Sequence, residues 1–309
     1  MSDMNTDAGK WVVLDDKLLQ SWPLPQPGDS GKEARGRVLV IAGSAELPGA
    51  ARLAGEAALR AGAGKLVIAT AASCAPHVAL AVPEARVIAL PETARGGIAP
   101  PAIELVQEPA SVADAILIGP GMQDEAATCG LVRALLRTVA RTPVLLDACA
   151  MGAVKDRDTG PGDAPPLLVT PHAGEMAHLL DRDKDDVERN AAQVALDASR
   201  RWGAVVALKG AVTLIAAPDA RAWRHEGGNA GLGTSGSGDV LAGLIVGLAA
   251  RGAPLEQAAA WGVRLHARAG ERLAARLGTL GYLARELSYE VPLLLETLAP
   301  RPQRRIGFG

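Results

Sequence analysis

From Arg37 onward, short and wholly apolar runs alternate with stretches whose apolar residues recur at helical spacing. Arg37–Ala42, Lys65–Ala69, Val87–Leu90, Ala115–Ile118, Val144–Leu146, Leu167–Thr170 and Val205–Leu208 are strand-length and aliphatic or β-branched. Ala50–Ala61, Ala126–Val139 and Asp185–Trp202 read as helices between them. Apolar strands alternating with amphipathic helices predict an α/β fold, with a mostly parallel sheet covered on both faces. Thr213–Ala217 and Arg221–Arg224, split by Pro218-Asp219, read as an edge hairpin. Beyond Asp239 the pattern is helical, over Val240–Ala250 and then Pro254–Leu277, with proline at the helix start. Residues 1–36 are polar and interrupted by Pro23, Pro25 and Pro27. They are expected to form an arm over the domain or over a neighbouring subunit. One domain is expected over 37–298, followed by a basic tail, 299–309, that is disordered or pinned to a partner.

Composition narrows the function classes. A chain of 309 residues that is 49% hydrophobic can bury a large core. A net charge of −2 and an aromatic content of 3% argue against a nucleic-acid footprint or a base-stacking platform. Cys74, Cys129 and Cys149 lack metal-ligand spacing and read as free thiols of a reducing compartment. Met1–Lys10 is polar rather than a secretory signal, and Val240–Ala250 is too short to span a bilayer. A cytoplasmic protein with no membrane partner is expected.

Gly227–Gly243 carries the strongest chemical signal. Glycines and serines there lead into an apolar helix whose first acid is Asp239. Glycines let a backbone approach a ligand closely, and free amides at a helix start attract anions. A carboxylate at that point repels a phosphate unless it has a task, and the natural task is to deprotonate an attacking hydroxyl. The competing reading is a flexible loop before an Asp-capped helix. No Gly-Lys-Ser/Thr follows, so this is not a P-loop. Its late position rules out a dinucleotide fingerprint.

Other candidates lie at strand ends, where ligands bind open parallel sheets. Ala42-Gly43-Ser44 and Leu47-Pro48-Gly49-Ala50 follow the first strand, and Gly119-Pro120-Gly121 follows the fourth. Asp147 ends the next, in a position to orient magnesium or a substrate hydroxyl or simply to cap. Thr170-Pro171-His172-Ala173-Gly174-Glu175 places a turn, an imidazole and an acid at a helix start, favouring a ligand contact for His172. Glu175 there also suits the helix dipole alone. Lys209-Gly210 closes a strand, where the lysine either reaches a nucleotide phosphate or snorkels to solvent. His77, His178, His225 and His266 have no such setting and read as surface or satisfied structural residues. Zinc finds no ligand set.

Ala42-Gly43-Ser44, Pro48-Gly49-Ala50, Arg60-Ala61-Gly62-Ala63-Gly64, Gly119-Pro120-Gly121, Thr170-Pro171-His172, Lys209-Gly210 and Gly236-Ser237-Gly238-Asp239 occur in this order. Together they resemble the ADP-dependent (S)-NAD(P)H-hydrate dehydratases, a branch of the ribokinase-like superfamily, over roughly Arg35 to Leu298. The resemblance implies a ribokinase-like three-layer α/β/α sandwich that repairs hydrated NADH and NADPH. ADP phosphorylates the ring hydroxyl and the phosphate is eliminated, giving the reduced cofactor, AMP and phosphate. By position, Ala50, Gly121, His172 and Asp239 would contact the hydrated cofactor, with Asp239 as base. Lys209, Gly210, Ala211, Val212, Thr213 and Gly238 would hold the adenine nucleotide, and amides around Gly236, Ser237 and Gly238 would form the anion hole. Asn229 would shape the loop. Mg2+ would accompany the diphosphate without a dedicated protein ligand.

The companion epimerase domain does not fit before Arg35, so a stand-alone form with a separate epimerase partner is expected. A homo-oligomer, a tetramer among the options, is also expected. Ser235, Cys149 and Ala173 depart from the pattern, and Cys149 weakens any paired-acid metal site with Asp147. A small-molecule vitamin-precursor kinase of the same superfamily is the alternative. A nucleotide-binding regulator that has lost catalysis is a third reading, which the presence of Asp239 disfavours.

Overall fold

The computed structural model describes residues 11–26, 31–157 and 164–298; the basic tail expected at 299–309 lies outside them. In chain order the strands are β1 (Trp11–Val13), β2 (Arg37–Ile41), β3 (Lys65–Ala71), β4 (Ala85–Leu90), β5 (Ala115–Ile118), β6 (Val144–Leu146), β7 (Leu167–Val169), β8 (Val205–Leu208), β9 (Val212–Ala216) and β10 (Ala222–Glu226). They form one sheet ordered β1-β10-β9-β8-β7-β6-β5-β2-β3-β4, in which β9 alone runs antiparallel to its neighbours among the described residues. The chain leaves β2 toward β3 and β4, then returns to the other side of β2 at β5. That reversal puts the loops after β2 and β5 side by side, where an open sheet offers a crevice. Gly43 N–H donates to Pro120 O there at 2.7 Å.

The apolar strands hide a period of two. Val38, Val40, Ala115, Leu117, Leu145, Leu168 and Ala207 enter one core cluster, and their chain neighbours Leu39, Ile41, Ile116, Ile118, Leu146, Val169 and Val206 enter the other. The first cluster is closed by α1 (Asp16–Ser21), α2 (Pro48–Arg60), α3 (Ala75–Ala81), α9 (Ser237–Ala250), α10 (Leu255–Leu277) and α11 (Ala284–Leu298). The second is closed by α4 (Ala102–Val112), α5 (Glu125–Leu136), α6 (Ala173–Leu180), α7 (Lys184–Arg189) and α8 (Ala191–Trp202). Both faces bury alternate residues, so every position of a central strand is apolar. The result is the three-layer sandwich.

Two expectations change, and a third narrows to one of its alternatives. The hairpin β9–β10 is antiparallel but is not the sheet edge, because β1 pairs with β10 beyond it. The segment holding β1 lies on the domain itself: Leu14 and Leu19 are buried, and Trp22 stacks on Trp223 at 5.4 Å. Its backbone carbonyls are held from α10, where Trp261 Nε1 donates to Trp22 O at 2.9 Å. The helix expected over Asp185–Trp202 is two helices, broken at Asn190. There the Asn190 amide donates to Asp186 O at 3.1 Å and to its carboxylate at 2.8 Å, competing with helical bonding.

Helix α9 is apolar all round, and Val240–Ala250 is buried throughout. Its glycines let α2 approach closely. A methyl group at Gly243 would lie 2.3 Å from Ala54 O, and one at Gly247 would lie 2.5 Å from Ala58 O. These contacts fix a parallel register of 54 with 243 and 58 with 247. One helical turn earlier, the same register sets Ala50 beside Asp239.

Candidate active site

The site lies at the carboxyl ends of β5 to β8 and at the start of α9. Lys209 directly follows β8, and its amide donates to Pro171 O at 2.8 Å, which ties it to the end of β7. His172 and Lys209 are bridge partners across that junction. The Lys209 ammonium stands 3.3 Å from Asp147 Oδ1 and 3.7 Å from Glu175 Oε2. Asp147 is buried at the end of β6 and also accepts from Thr170 Oγ1 at 2.6 Å. The lysine is therefore not a snorkelling side chain; it is clamped between two carboxylates. Burial pulls its pKa down, but Asp147, Glu175 and Asp239 outweigh that and hold it above the ordinary lysine value.

Helix α6 starts at His172 with a closed set of side-chain bonds. His172 Nδ1 accepts from the amides of Gly174 and Glu175 at 3.0 and 3.2 Å, while Glu175 Oε2 accepts from the His172 amide at 2.7 Å. This reciprocal box was not expected from the sequence, because histidine replaces the usual serine or threonine. It leaves Nε2 to carry the ring proton, and the exposed ring lines two cavities. Glu175 thus both caps the helix and faces Lys209.

Helix α9 starts differently. Gly236 occupies the N-cap at φ +86° and offers no side-chain cap. The left-handed conformation calls for glycine, and a Cβ there would also displace the tip of Leu53, whose Cδ1 it would approach at 2.5 Å. The Ser237 amide turns back to Thr234 O at 3.2 Å, so it is not a free anion donor. Helix geometry leaves the amides of Gly238 and Asp239 without intrahelical acceptors. Asp239 sits in that first turn with its pKa pushed up to about 6, by burial first and then by the Asp147 carboxylate, against the pull of Lys209. A carboxylate in this state is ionised at neutral pH and more basic than an ordinary aspartate.

A cavity of about 830 Å³ opens between β8, the glycine loop and α10. Lys209, Gly210, Ala211, Thr213 and Gly238 line it, and Val212 does not. Asn229 also lines it and shapes the loop, its Oδ1 accepting from Gly231 N–H and Tyr282 O–H at 2.9 Å each. A second cavity of about 360 Å³ lies between residues 148–152 and α6, and His172 borders both. Ala50 and Gly121 form a separate wall: a Cβ on Gly121, at φ +63°, would meet Ala50 Cβ at 2.5 Å. The site therefore brings together Lys209, Asp147, Glu175 and Asp239 as one charged group, with the nucleotide-sized cavity on one side of it.

His266 is a residue the sequence left in a structural role. It is buried on α10, and its Nε2 lies 2.9 Å from Ser237 Oγ and 3.0 Å from Ser237 O. Burial pushes its pKa down to about 4, so the ring is neutral. His225 is also buried, with its pKa lowered to about 4 by desolvation and then by Arg264. The three cysteines are free, and burial raises the Cys129 thiol to about 11. No group of three or more His, Cys, Asp or Glu side chains among the described residues could hold a metal ion.

The family model described as NAD(P)H-hydrate dehydratase matches residues 38–293. An ADP-dependent (S)-NAD(P)H-hydrate dehydratase of Xanthomonas campestris is 51% identical over 280 residues, covering 91% of this chain and 94% of that one. A bifunctional NAD(P)H-hydrate repair enzyme of Moorella thermoacetica is 38% identical and covers 93% of this chain, which spans 54% of that longer protein. Among solved structures, the ADP/ATP-dependent NAD(P)H-hydrate dehydratase of Bacillus subtilis, co-crystallised with ATP/Mg2+, is 29% identical with a TM-score of 0.78, covering 96% of this chain and all of that one. With its ribokinase-like fold and this matched span, the chain belongs to the NAD(P)H-hydrate dehydratase family.

Proposed function

We propose that this protein uses ADP to dehydrate (S)-NADHX and (S)-NADPHX, returning NADH or NADPH with AMP and phosphate. The observation that carries the reading is Asp239, a basic carboxylate in the first turn of an otherwise open helix start, beside Lys209. In this reading Asp239 takes the proton of the ring hydroxyl, whose oxygen then attacks the terminal phosphorus of ADP. The bond to the AMP oxygen breaks as the new P–O bond forms. The Gly238 and Asp239 amides and the Lys209 ammonium stabilise charge on the transferring group. The ring nitrogen's lone pair then expels phosphate, and loss of a proton from the adjacent ring carbon restores the double bond. Phosphate is a good leaving group where hydroxide is not, so the elimination asks little of the protein.

Lys209, Gly210, Ala211, Thr213 and Gly238 would hold the nucleotide in the larger cavity, with Val212 contributing through its backbone. Ala50, Gly121 and His172 would flank the hydrated ring. Magnesium fits as a companion of the diphosphate rather than a resident ion, since Asp147 and Glu175 are committed to Lys209. Held by phosphate oxygens and water, it would neutralise charge on the nucleotide. A separate epimerase supplies the (S) form, a role suggested by the bifunctional relative. A homo-oligomer is supported by exposed Leu280, Tyr289 and Leu293 near and on α11. A cytoplasmic setting agrees with the lack of any described helix long and apolar enough to cross a membrane. The test is ADP-dependent conversion of hydrated NADH by purified protein; nucleotide binding without conversion would instead support the vitamin-precursor kinase.

A further inference from the structure

The buried contact between α9 and α10 assigns a role to a hydroxyl. His266 Nε2 lies 3.0 Å from Ser237 O, a carbonyl that can only accept. A bare Nε2 lone pair at that distance would face the carbonyl's own lone pairs, so Nε2 carries the ring proton. The same N–H lies 2.9 Å from Ser237 Oγ, which is therefore met on an acceptor side. The hydroxyl hydrogen is then left to point elsewhere. Ser237 is buried, and both it and His266 line the cavity beside Gly238 and Lys209.

We propose that Ser237 is a catalytic residue whose hydroxyl donates to the transferring phosphoryl group, and that His266 is a positioning residue that aims it. The proposal rests on the phosphoryl-transfer reading above and adds a side-chain donor to the two free amides of the loop. The Ser237 amide itself is spent on Thr234 O, so the hydroxyl is what this residue has left to offer. A neutral imidazole suits the task. An imidazolium would add a second cation to the field of Lys209, which already disfavours the charged ring. No bond is made or broken at Ser237; its hydrogen bond strengthens as charge gathers on the phosphoryl oxygens.

The test is kcat and KM for ADP with hydrated NADH, measured on the full chain for Ser237→Ala, Ser237→Thr, His266→Gln and His266→Phe. Parent turnover is the control that separates failure of this proposal from failure of the functional reading. Ser237→Ala is expected to lower kcat by about 10- to 100-fold with little change in KM, the loss of one donor to a charged group. Ser237→Thr is expected to retain most of kcat. His266→Gln places an amide N–H near the Nε2 position and is expected to stay near the parent. His266→Phe is expected to lose about tenfold in kcat, a loss that largely disappears when Ser237 is already alanine. Melting temperatures identify any variant that fails to fold, and the serine pair stands without the histidine pair. Parent-like kcat in Ser237→Ala would overturn the catalytic role. Losses from His266→Phe that multiply fully with those of Ser237→Ala would overturn the positioning role.

Discussion

Helices α6 and α9 begin alike and end up doing different work. Each starts at the carboxyl edge of the sheet, and each has an acid as its third residue, Glu175 and Asp239. In α6 the acid folds back onto the His172 amide while the His172 ring takes two amides, so the helix start is closed by its own side chains. In α9 the cap is a glycine with nothing to offer, the acid has no capping partner, and the amides of Gly238 and Asp239 stay open while that of Ser237 turns back to Thr234 O. One acid is held by structure, whereas the other keeps a raised pKa because burial and the Asp147 carboxylate outweigh the pull of Lys209. An open, electrostatically unfavourable helix start is where a ligand has free energy to gain. Lys209 links the two, touching Glu175 and lowering the pKa of Asp239.

The comparison breaks most sharply at Asp239. Asp239→Asn removes the base and should lower kcat by about 10²–10⁴-fold, with ADP affinity by calorimetry nearly unchanged. The same change should stabilise the fold. The pKa of about 6 in the fold lies above the ordinary 3.8, so the native state prefers the protonated acid. The resulting penalty is absent below pH 3.8, grows as pH rises toward 6 and is complete at pH 7. Removing it should raise unfolding free energy at pH 7 by on the order of 1–3 kcal/mol, with no gain near pH 3.5. Loss of stability in a denaturant titration at pH 7 would contradict this account.

Gly236→Ala comes next. It forces a side chain into the left-handed region and against Leu53, and should cost about 1–3 kcal/mol together with most of the ADP-dependent turnover. On the α6 side the effects are smaller. Glu175→Ala should cost about 1 kcal/mol by removing half of the reciprocal cap. Glu175→Gln preserves the cap and loses only the charge facing Lys209, so it should retain more stability than Glu175→Ala. Equal melting temperatures for the two Glu175 variants would show that the box contributes nothing. The finest test is Asp147→Asn, which removes the charge that, with burial, raises Asp239. The acid limb of the kcat profile, expected near pH 6 in the parent, should move to lower pH. A limb that stays in place would leave burial as the sole cause.

The central sheet was legible because its strands are short, apolar and separated by helices, and the alternation of core faces emerges only once both faces are known to be covered. What escaped were elements whose local sequence argues against them. Helices α4 and α11 hold Pro109 and Pro292 in their interiors, so tertiary burial overrides weak propensity. Strand β1 is three residues inside a polar arm and exists because β10 offers it an edge. In the site, Gly236 to Asp239 and Lys209 could be placed from their strand-end and helix-start settings. The Asp147–Thr170 bond and the His266–Ser237 contact span 23 and 29 residues, and no local spacing encodes either. The same holds for the α2–α9 register, which depends on glycine facing alanine across two helices.

The most direct measurement of the central claim is the near-ultraviolet absorbance of reduced nicotinamide, followed with hydrated NADH, magnesium and either ADP or no nucleotide, for the parent and Asp239→Asn. The account expects absorbance to rise in the parent only when ADP is present, with AMP and phosphate formed in step, and to stay flat in the variant. A rise without nucleotide, or an Asp239→Asn rate close to the parent's, would contradict it.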